Sequence, residues 1–213
     1  FENISLNINA GEKIGLLGPN GTGKTTLFAM ILGETEPSAG EIRINKFIRI
    51  GYLPQEAGFH SQRTVLEELL EGDAEINRLN KEKEDLEKQG SADSMRYGDI
   101  LERLETLGYF QLEHKAKKIL TGLEFKEKDF YRPVKQLSGG WQMRVLLAKL
   151  LTCPYDILLL DEPTNYLDLN AAVWLKDYLR DFKGTFIMIS HDKAFLTEVT
   201  NYTLILENGS VFK

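Results

Sequence analysis

The residues best suited to chemistry lie in Gly18-Pro19-Asn20-Gly21-Thr22-Gly23-Lys24-Thr25-Thr26, between the apolar run Lys13 to Leu17 and Leu27-Phe28-Ala29-Met30-Ile31-Leu32. This stretch fits Gly-x-x-x-x-Gly-Lys-Ser/Thr at Gly18, Gly23, Lys24 and Thr25, with a strand expected before it and a helix after it. Glycines at 18, 21 and 23 permit backbone angles closed to other residues, so successive N–H groups can turn inward around phosphate oxygens. A helix starting near Lys24 adds unpaired donors and the positive end of its dipole. Lys24 can reach the outer phosphates, and the Thr25 hydroxyl suits Mg²⁺. A glycine-rich turn that binds nothing could match so short a pattern; the strand and helix on either side argue for a nucleotide site.

Three further polar tips follow apolar runs. Gln55 comes just after Tyr52-Leu53-Pro54, and Asp161-Glu162 ends the unbroken run Ile157 to Leu160. Ser190-His191-Asp192 follows Thr185 to Ile189. In open α/β sheets ligands bind beyond the carboxyl ends of the strands, so these tips and the glycine loop are expected to meet. Read singly, Asp161-Glu162 could be a strand-end turn and His191 a helix cap.

The elements that must position these tips are read from periodicity. Ile4 to Asn9 alternates apolar and polar, predicting a strand that hairpins through Ala10-Gly11-Glu12 into Lys13 to Leu17. Glu41 to Asn45 and Phe47 to Leu53 read as two more strands after the turn residues Glu34 to Gly40. Thr64 to Glu71 begins helical. Ala74 to Gln89 is highly charged with a thin apolar seam at Ile76, Leu79 and Leu86, while Ile100, Leu101, Leu104 and Leu107 repeat at helical spacing after a break. This predicts an antiparallel helical hairpin, about 24 Å long, that projects from the body, although the same pattern also suits a charged surface helix packed on the domain. Helical signals return over His114 to Leu120 and Trp141 to Leu151, the latter with Ser138 as N-cap. A helix from about Asn170 to Asp181, another from Asp192, and a hairpin around Asn208-Gly209 complete an α/β domain.

Composition narrows the class. With 213 residues, 27% charged and 42% hydrophobic, the chain describes one globular domain, and no apolar run is long enough to span a membrane. No membrane insertion and a cytoplasmic location are expected. Cys153 stands alone, which excludes an internal disulfide, and His60, His114 and His191 are too scattered for a zinc site. A net charge of −6 argues against general nucleic-acid affinity, and no DNA partner is expected. From His114 to Lys135, however, seven basic residues (Lys115, Lys117, Lys118, Lys126, Lys128, Arg132, Lys135) outnumber the acidic Glu124, Glu127 and Asp129. A solvated face and a polyanion contact remain equally open there.

The chain resembles a nucleotide-binding domain of the ABC ATPase superfamily. The loop from Gly18 to Thr26 resembles the Walker A loop, Gln55 the Q-loop glutamine, Leu137-Ser138-Gly139-Gly140 the signature, and Ile157 to Glu162 the Walker B strand. Asn165 to Asp168 resembles the D-loop and His191 the switch histidine. The resemblance implies a P-loop NTPase fold with a mixed sheet core, an antiparallel β subdomain and a helical subdomain. Residues 1–60 and 152–213 would form the core and β subdomain. Residues 61–151 would form the helical subdomain, with an arm hairpin at about 74–107 and the signature region at 137–144. It also implies ATP and Mg²⁺ as ligands. Thr25, Gln55 and Asp161 would hold the metal, Glu162 would be the general base, and Gln55 and His191 would orient water and γ-phosphate. Ser138, Gly139 and Gly140 would cover the ATP of a second such domain, on the same parent chain or in a homodimer.

Four features are similar to the first domain of the ABC-F subfamily, whose members act on ribosomes. They are Tyr52-Leu53-Pro54-Gln55-Glu56, Trp141-Gln142-Met143-Arg144 after the signature, Ser190 to Leu196, and the charged hairpin between Gln55 and Ser138. The resemblance therefore implies a ribosome partner with rRNA contact. Two departures stand out. Tyr166 occupies a D-loop position where the subfamily commonly has His, and Phe1 is not assigned the adenine-stacking role that usually falls upstream. The ATPase of a membrane transporter and a nucleotide-gated module with negligible turnover are the alternatives.

Overall fold

The computed structural model describes residues 4–56, 58, 61–71, 74–207 and 209–212; Phe1, His60 and Asn208 lie outside these. Six strands form one sheet in the order β2-β3-β4-β1-β5-β6. They are β1 (Lys13–Leu17), β2 (Ile50–Leu53), β3 (Ile157–Asp161), β4 (Thr185–Ile189), β5 (Tyr202–Glu207) and β6 (Ser210–Phe212). All neighbours run parallel except β5 and β6. A parallel sheet buries both faces, which explains why β1, β3 and β4 read as apolar runs without polar alternation.

Period-two geometry then divides the core. Ile14, Leu16, Leu159, Ile187 and Ile189 pack on one face with Phe28 of α1 (Lys24–Ile31). Leu158, Leu160, Phe186 and Met188 point to the other face. There they meet α6 (Gly139–Thr152), α7 (Leu169–Asp181) and α8 (Lys193–Val199). Helix starts follow capping chemistry. Asp168 accepts from the Ala171 N–H at 3.0 Å and Asp192 from the Phe195 N–H at 2.9 Å. Thr64 and Glu67 form a capping box at α2 (Val65–Leu70).

The expected hairpin is α3 (Ala74–Lys88) and α4 (Met95–Thr106), followed by α5 (Tyr109–Gly122). Its root is part of the body: Ile76, Leu79, Ile100 and Leu104 are buried in the same core as α2, α5 and α6. Paired contacts between Arg103 and Glu75 and between Arg96 and Glu82 lace the two helices together, and Tyr97 donates to Glu87 at 2.7 Å. The tip is exposed, with Met95 at 87%. The hairpin is thus rooted by its apolar seam and projects only beyond it.

Two predicted strands are corrected. Neither Ile4 to Asn9 nor Glu41 to Asn45 enters a ladder, and of Phe47 to Leu53 only β2 does, so the antiparallel β subdomain reduces, among the described residues, to β5–β6. Ile4, Leu6 and Ile8 keep the half-buried alternation of a strand, but alternation fixes side-chain direction and not a partner. Ile42, Ile44 and Phe47 are exposed, and among the described residues no strand pairs with them; the Phe47 N–H donates to the Asn45 side chain instead.

One helix contact gives a stability prediction. A Cβ at Gly122 would lie 2.0 Å from Trp174 Cε2, because the indole lies directly on the α5 backbone. Gly122→Ala should therefore destabilise the domain by about 1–3 kcal/mol through overpacking, read as a lower melting temperature.

Candidate active site

β1 ends at Leu17 between β4 and β5, so the glycine loop emerges where three parallel strands finish. Gly18 has no room for a side chain, since a Cβ would sit 2.5 Å from the Leu206 carbonyl oxygen. Gly23 precedes α1 at φ 97°, a left-handed angle open chiefly to glycine. Lys24 arches back over the loop, its ammonium donating to the Gly18 and Pro19 carbonyls at 2.8 and 2.9 Å. The Thr22 hydroxyl donates to the Pro19 carbonyl at 2.9 Å. No acidic side chain lies in the first turn of α1, which leaves its dipole unopposed.

The tip of β3 reaches the same place. The Thr25 hydroxyl donates to Asp161 Oδ2 at 3.0 Å, joining α1 to β3. Glu162 has φ 52°, in a region that costs a non-glycine residue on the order of 1–3 kcal/mol. Its N–H donates to the Ile189 carbonyl at 2.9 Å, which holds the strained turn to the end of β4. Glu162 Oε2 accepts from the His191 N–H at 3.3 Å. Glu162 Oε1, 3.5 Å from His191 Nε2, is buried without a hydrogen-bond partner. A buried oxygen left without a partner costs about 1–3 kcal/mol; among the described residues Glu68 Oε2 and Asn80 Oδ1, outside the cleft, are orphaned as well.

Burial pushes both carboxyls up from their usual range. For Asp161 the Thr25 hydrogen bond and the Lys24 charge work against that rise, and for Glu162 the His191 backbone N–H and imidazole do so. Nearby positive charge would favour both ionised forms.

A cleft of about 360 Å³ gathers Asn20, Gly21, Gly23, Lys24, Thr25, Thr26, Gln55, Asp161, Glu162 and His191. Four segments far apart in sequence therefore meet, as the strand-tip argument expected. The oxygen donors of Thr25, Gln55 and Asp161 match Mg²⁺, which binds through one or two carboxylates, water and substrate phosphates instead of a protein-only cage. Ile189 also lines the cleft. Sequence reading treated it only as strand core; its position as the last residue of β4 is the signal that it reaches the site.

Ser138, Gly139 and Gly140 are elsewhere. Gly139 and Gly140 line a separate hollow with Glu56, Gly58, Met143 and Tyr166, and Ser138 occupies the N-cap position of α6 without making the expected side-chain bond. Asp168 pairs with Arg144 at 2.9 Å and caps α7, and its carboxyl is held below the usual range first by the Ala171 N–H. Arg144, only 8% exposed, also donates to the Tyr166 and Leu123 carbonyls at 2.7 and 3.3 Å and stacks on Trp141. Sequence analysis gave Arg144 no role in the site; an Arg three residues after Trp141, on the same helix face, was the available sign. A larger groove of about 600 Å³ beside Trp174 and Tyr178, near the starts of β3 and β4, holds none of these residues.

These features, a phosphate-type loop, paired carboxylates at β3 and a histidine at β4, define a parallel-sheet nucleotide hydrolase. The family described as ABC transporter matches residues 1–165, and the chain belongs to it. The chain is 39% identical over 208 residues to the "Probable ATP-binding protein YheS" of Haemophilus influenzae, covering 98% of this chain and 32% of that protein. It is 40% identical over 200 residues to "ABC transporter F family member 2" of Dictyostelium discoideum, covering 93% and 32%. The chain thus spans about a third of the length of these relatives. Among solved structures, an archaeal ribosome recycling factor aABCE1 in complex with ribosomal stalk protein aP1 superposes with TM-score 0.66 at 27% identity, over 96% of this chain and 34% of that one. The dimeric post-hydrolysis ATP-binding cassette MJ0796 superposes with TM-score 0.70 over 99% of this chain and 88% of that one, a likeness of fold at 22% identity. The domain is an ATPase of the ABC type, similar to ABC-F proteins.

Proposed function

We propose that this domain binds ATP with Mg²⁺ and hydrolyses it as one half of a head-to-tail pair. The observation that carries the reading is the cleft in which Lys24, Thr25, Gln55, Asp161, Glu162 and His191 face one another, while the signature glycines face outward from a different hollow. In this reading the loop amides and Lys24 hold the β- and γ-phosphates, and Asp161, Thr25 and Gln55 hold the metal. Bound Mg²⁺ supplies neutralising charge to the phosphate oxygens. The orphaned Glu162 Oε1 takes the proton of the attacking water, and His191 keeps water and γ-phosphate in line. Catalysis is chiefly positioning and charge stabilisation. Ser138, Gly139 and Gly140 cover the γ-phosphate held by a second domain, on the same parent chain or in a second copy, so neither half is complete alone.

The parent protein acts on the ribosome in translation, its ATP-closed form bound and its hydrolysed form released. Support comes from the ABC-F relative, from the structural likeness to a ribosome recycling factor, and from the rigid arm formed by α3 and α4. Among the described residues no helix is long and apolar enough to cross a membrane. Within the basic stretch, Lys117 pairs with Glu113, Arg132 with Asp129, Lys115 binds the Thr152 carbonyl and Lys135 binds Gln62. The arm carries the rRNA contact.

The buried root decides how to test this. Removing residues 74–107 whole would strip Ile76, Leu79, Ile100 and Leu104 from the core. Glu82 and Arg96 face each other across the hairpin, so residues 83–95 can be replaced by a short Gly-Ser turn with the loss of one half-buried core contact, Leu86. In the full-length protein this change should leave ATP affinity within about twofold, since surface changes distant from a site couple weakly to it. It should weaken co-sedimentation with ribosomes. Undiminished sedimentation would remove the arm from the contact, and no ATP-dependent sedimentation of the intact protein would favour the transporter reading.

A further inference from the structure

We infer that Tyr166 is a positioning residue that holds Gln55 in the ATP cleft through its hydroxyl; this rests on the role proposed for Gln55. Beyond Leu53 the chain leaves β2 and the backbone of Gln55 has no ladder to fix it. The Tyr166 hydroxyl donates to the Gln55 carbonyl at 3.0 Å, across 111 positions of sequence. That bond can position Gln55 only if Tyr166 is itself fixed, and it is held on three sides. Arg144 Nε donates to the Tyr166 carbonyl at 2.7 Å, and the same guanidinium grips Asp168 two residues on. The Leu167 N–H closes a turn onto the Thr164 carbonyl at 3.1 Å. The ring lies against Gly140, with 3.5 Å to the place a Cβ would occupy, and packs on the buried core.

The consequence is a direct mechanical link. Gln55 faces this domain's own cleft, whereas Gly140 and Met143 of α6 face the hollow assigned to the partner's nucleotide. One side chain touches both. A shift of α6 when a partner docks is transmitted through the phenol to the Gln55 backbone. Histidine at this position could not do the same: its ring nitrogens lie roughly 2–3 Å short of the phenol oxygen, outside hydrogen-bond reach. The link is a feature of the tyrosine.

The test is a double-mutant cycle on ATP turnover by the full-length protein. Tyr166→Phe keeps the ring and its packing and removes only the hydroxyl. It should lower kcat by roughly two- to tenfold, the range for one neutral hydrogen bond, with KM for ATP within about twofold and an unchanged melting temperature. In a Gln55→Ala background, where there is no amide left to place, Tyr166→Phe should have no further effect. Equal losses in both backgrounds, or unchanged kcat in Tyr166→Phe, would overturn the inference. Unchanged kcat in Gln55→Ala alone would overturn the role of Gln55, and the inference with it.

Discussion

Glu162→Gln is expected to abolish steady-state ATP hydrolysis in the full-length protein, by roughly 10²- to 10⁴-fold at this site, while ATP still binds. The amide has the shape of the carboxyl and can keep the hydrogen bond from the His191 N–H, so the strained turn at φ 52° should survive. What it cannot do is accept a proton at the position of Oε1, the buried oxygen that has no hydrogen-bond partner among the described residues. The variant should therefore collect in the ATP-bound, closed pair. Single-turnover hydrolysis with a filter-bound nucleotide assay separates the two halves of the claim. Near-normal turnover would remove Glu162 from the base role, whereas loss of ATP binding would mean that the substitution had broken the turn.

Lys24→Ala is the second large effect, and it falls on binding. The ammonium spans the loop between the Gly18 and Pro19 carbonyls and is the cation best placed to meet the outer phosphates. Losing charge-assisted bonds worth about 1.5–3 kcal/mol predicts a roughly tenfold to hundredfold weaker ATP affinity. Equilibrium titration with a fluorescent ATP analogue reads this directly. ADP should lose less than ATP, because part of the contact is with the γ-phosphate. Unchanged affinity would count against the phosphate-loop assignment. The fold should tolerate the change, since Lys24 is partly exposed and lies outside the buried core.

The parts of this site that sequence made legible are those in which chemistry fixes both residue type and spacing. Gly18, Gly23, Lys24 and Thr25 could be placed because a loop that wraps phosphates needs them in that order, and the apolar run before Asp161 identified the strand that delivers the carboxylates. Strand pairing was harder to read. Ile4 to Asn9 and Glu41 to Asn45 have strand-like alternation, yet a strand exists only where a neighbouring backbone pairs with it in a ladder, and among the described residues neither segment joins the six-stranded sheet. The hairpin shows a subtler limit. Its thin seam suggested a projection in place of core packing, but a few buried side chains, Ile76 and Leu79 against Ile100 and Leu104, root it in the common core. Arg144 and Tyr166 were invisible as a pair because their link to Asp168 and Gln55 is created only by folding.

The arrangement also explains why the two kinds of functional residue separate. Strand tips of a parallel sheet converge on one edge, so the groups that hold a triphosphate arrive together whatever their order in the chain. The signature belongs to the start of α6, and its glycines line a separate hollow with Glu56, Gly58, Met143 and Tyr166. In the proposed pair, such a domain would give its own cleft Glu162 and His191 and lend its glycines to the other.

The most direct test of the account is co-sedimentation of the full-length Glu162→Gln protein with purified ribosomes, with and without ATP and Mg²⁺. ATP-dependent enrichment in the ribosomal pellet, lost when Lys24→Ala is added, is the predicted result. An identical distribution with and without ATP would contradict it.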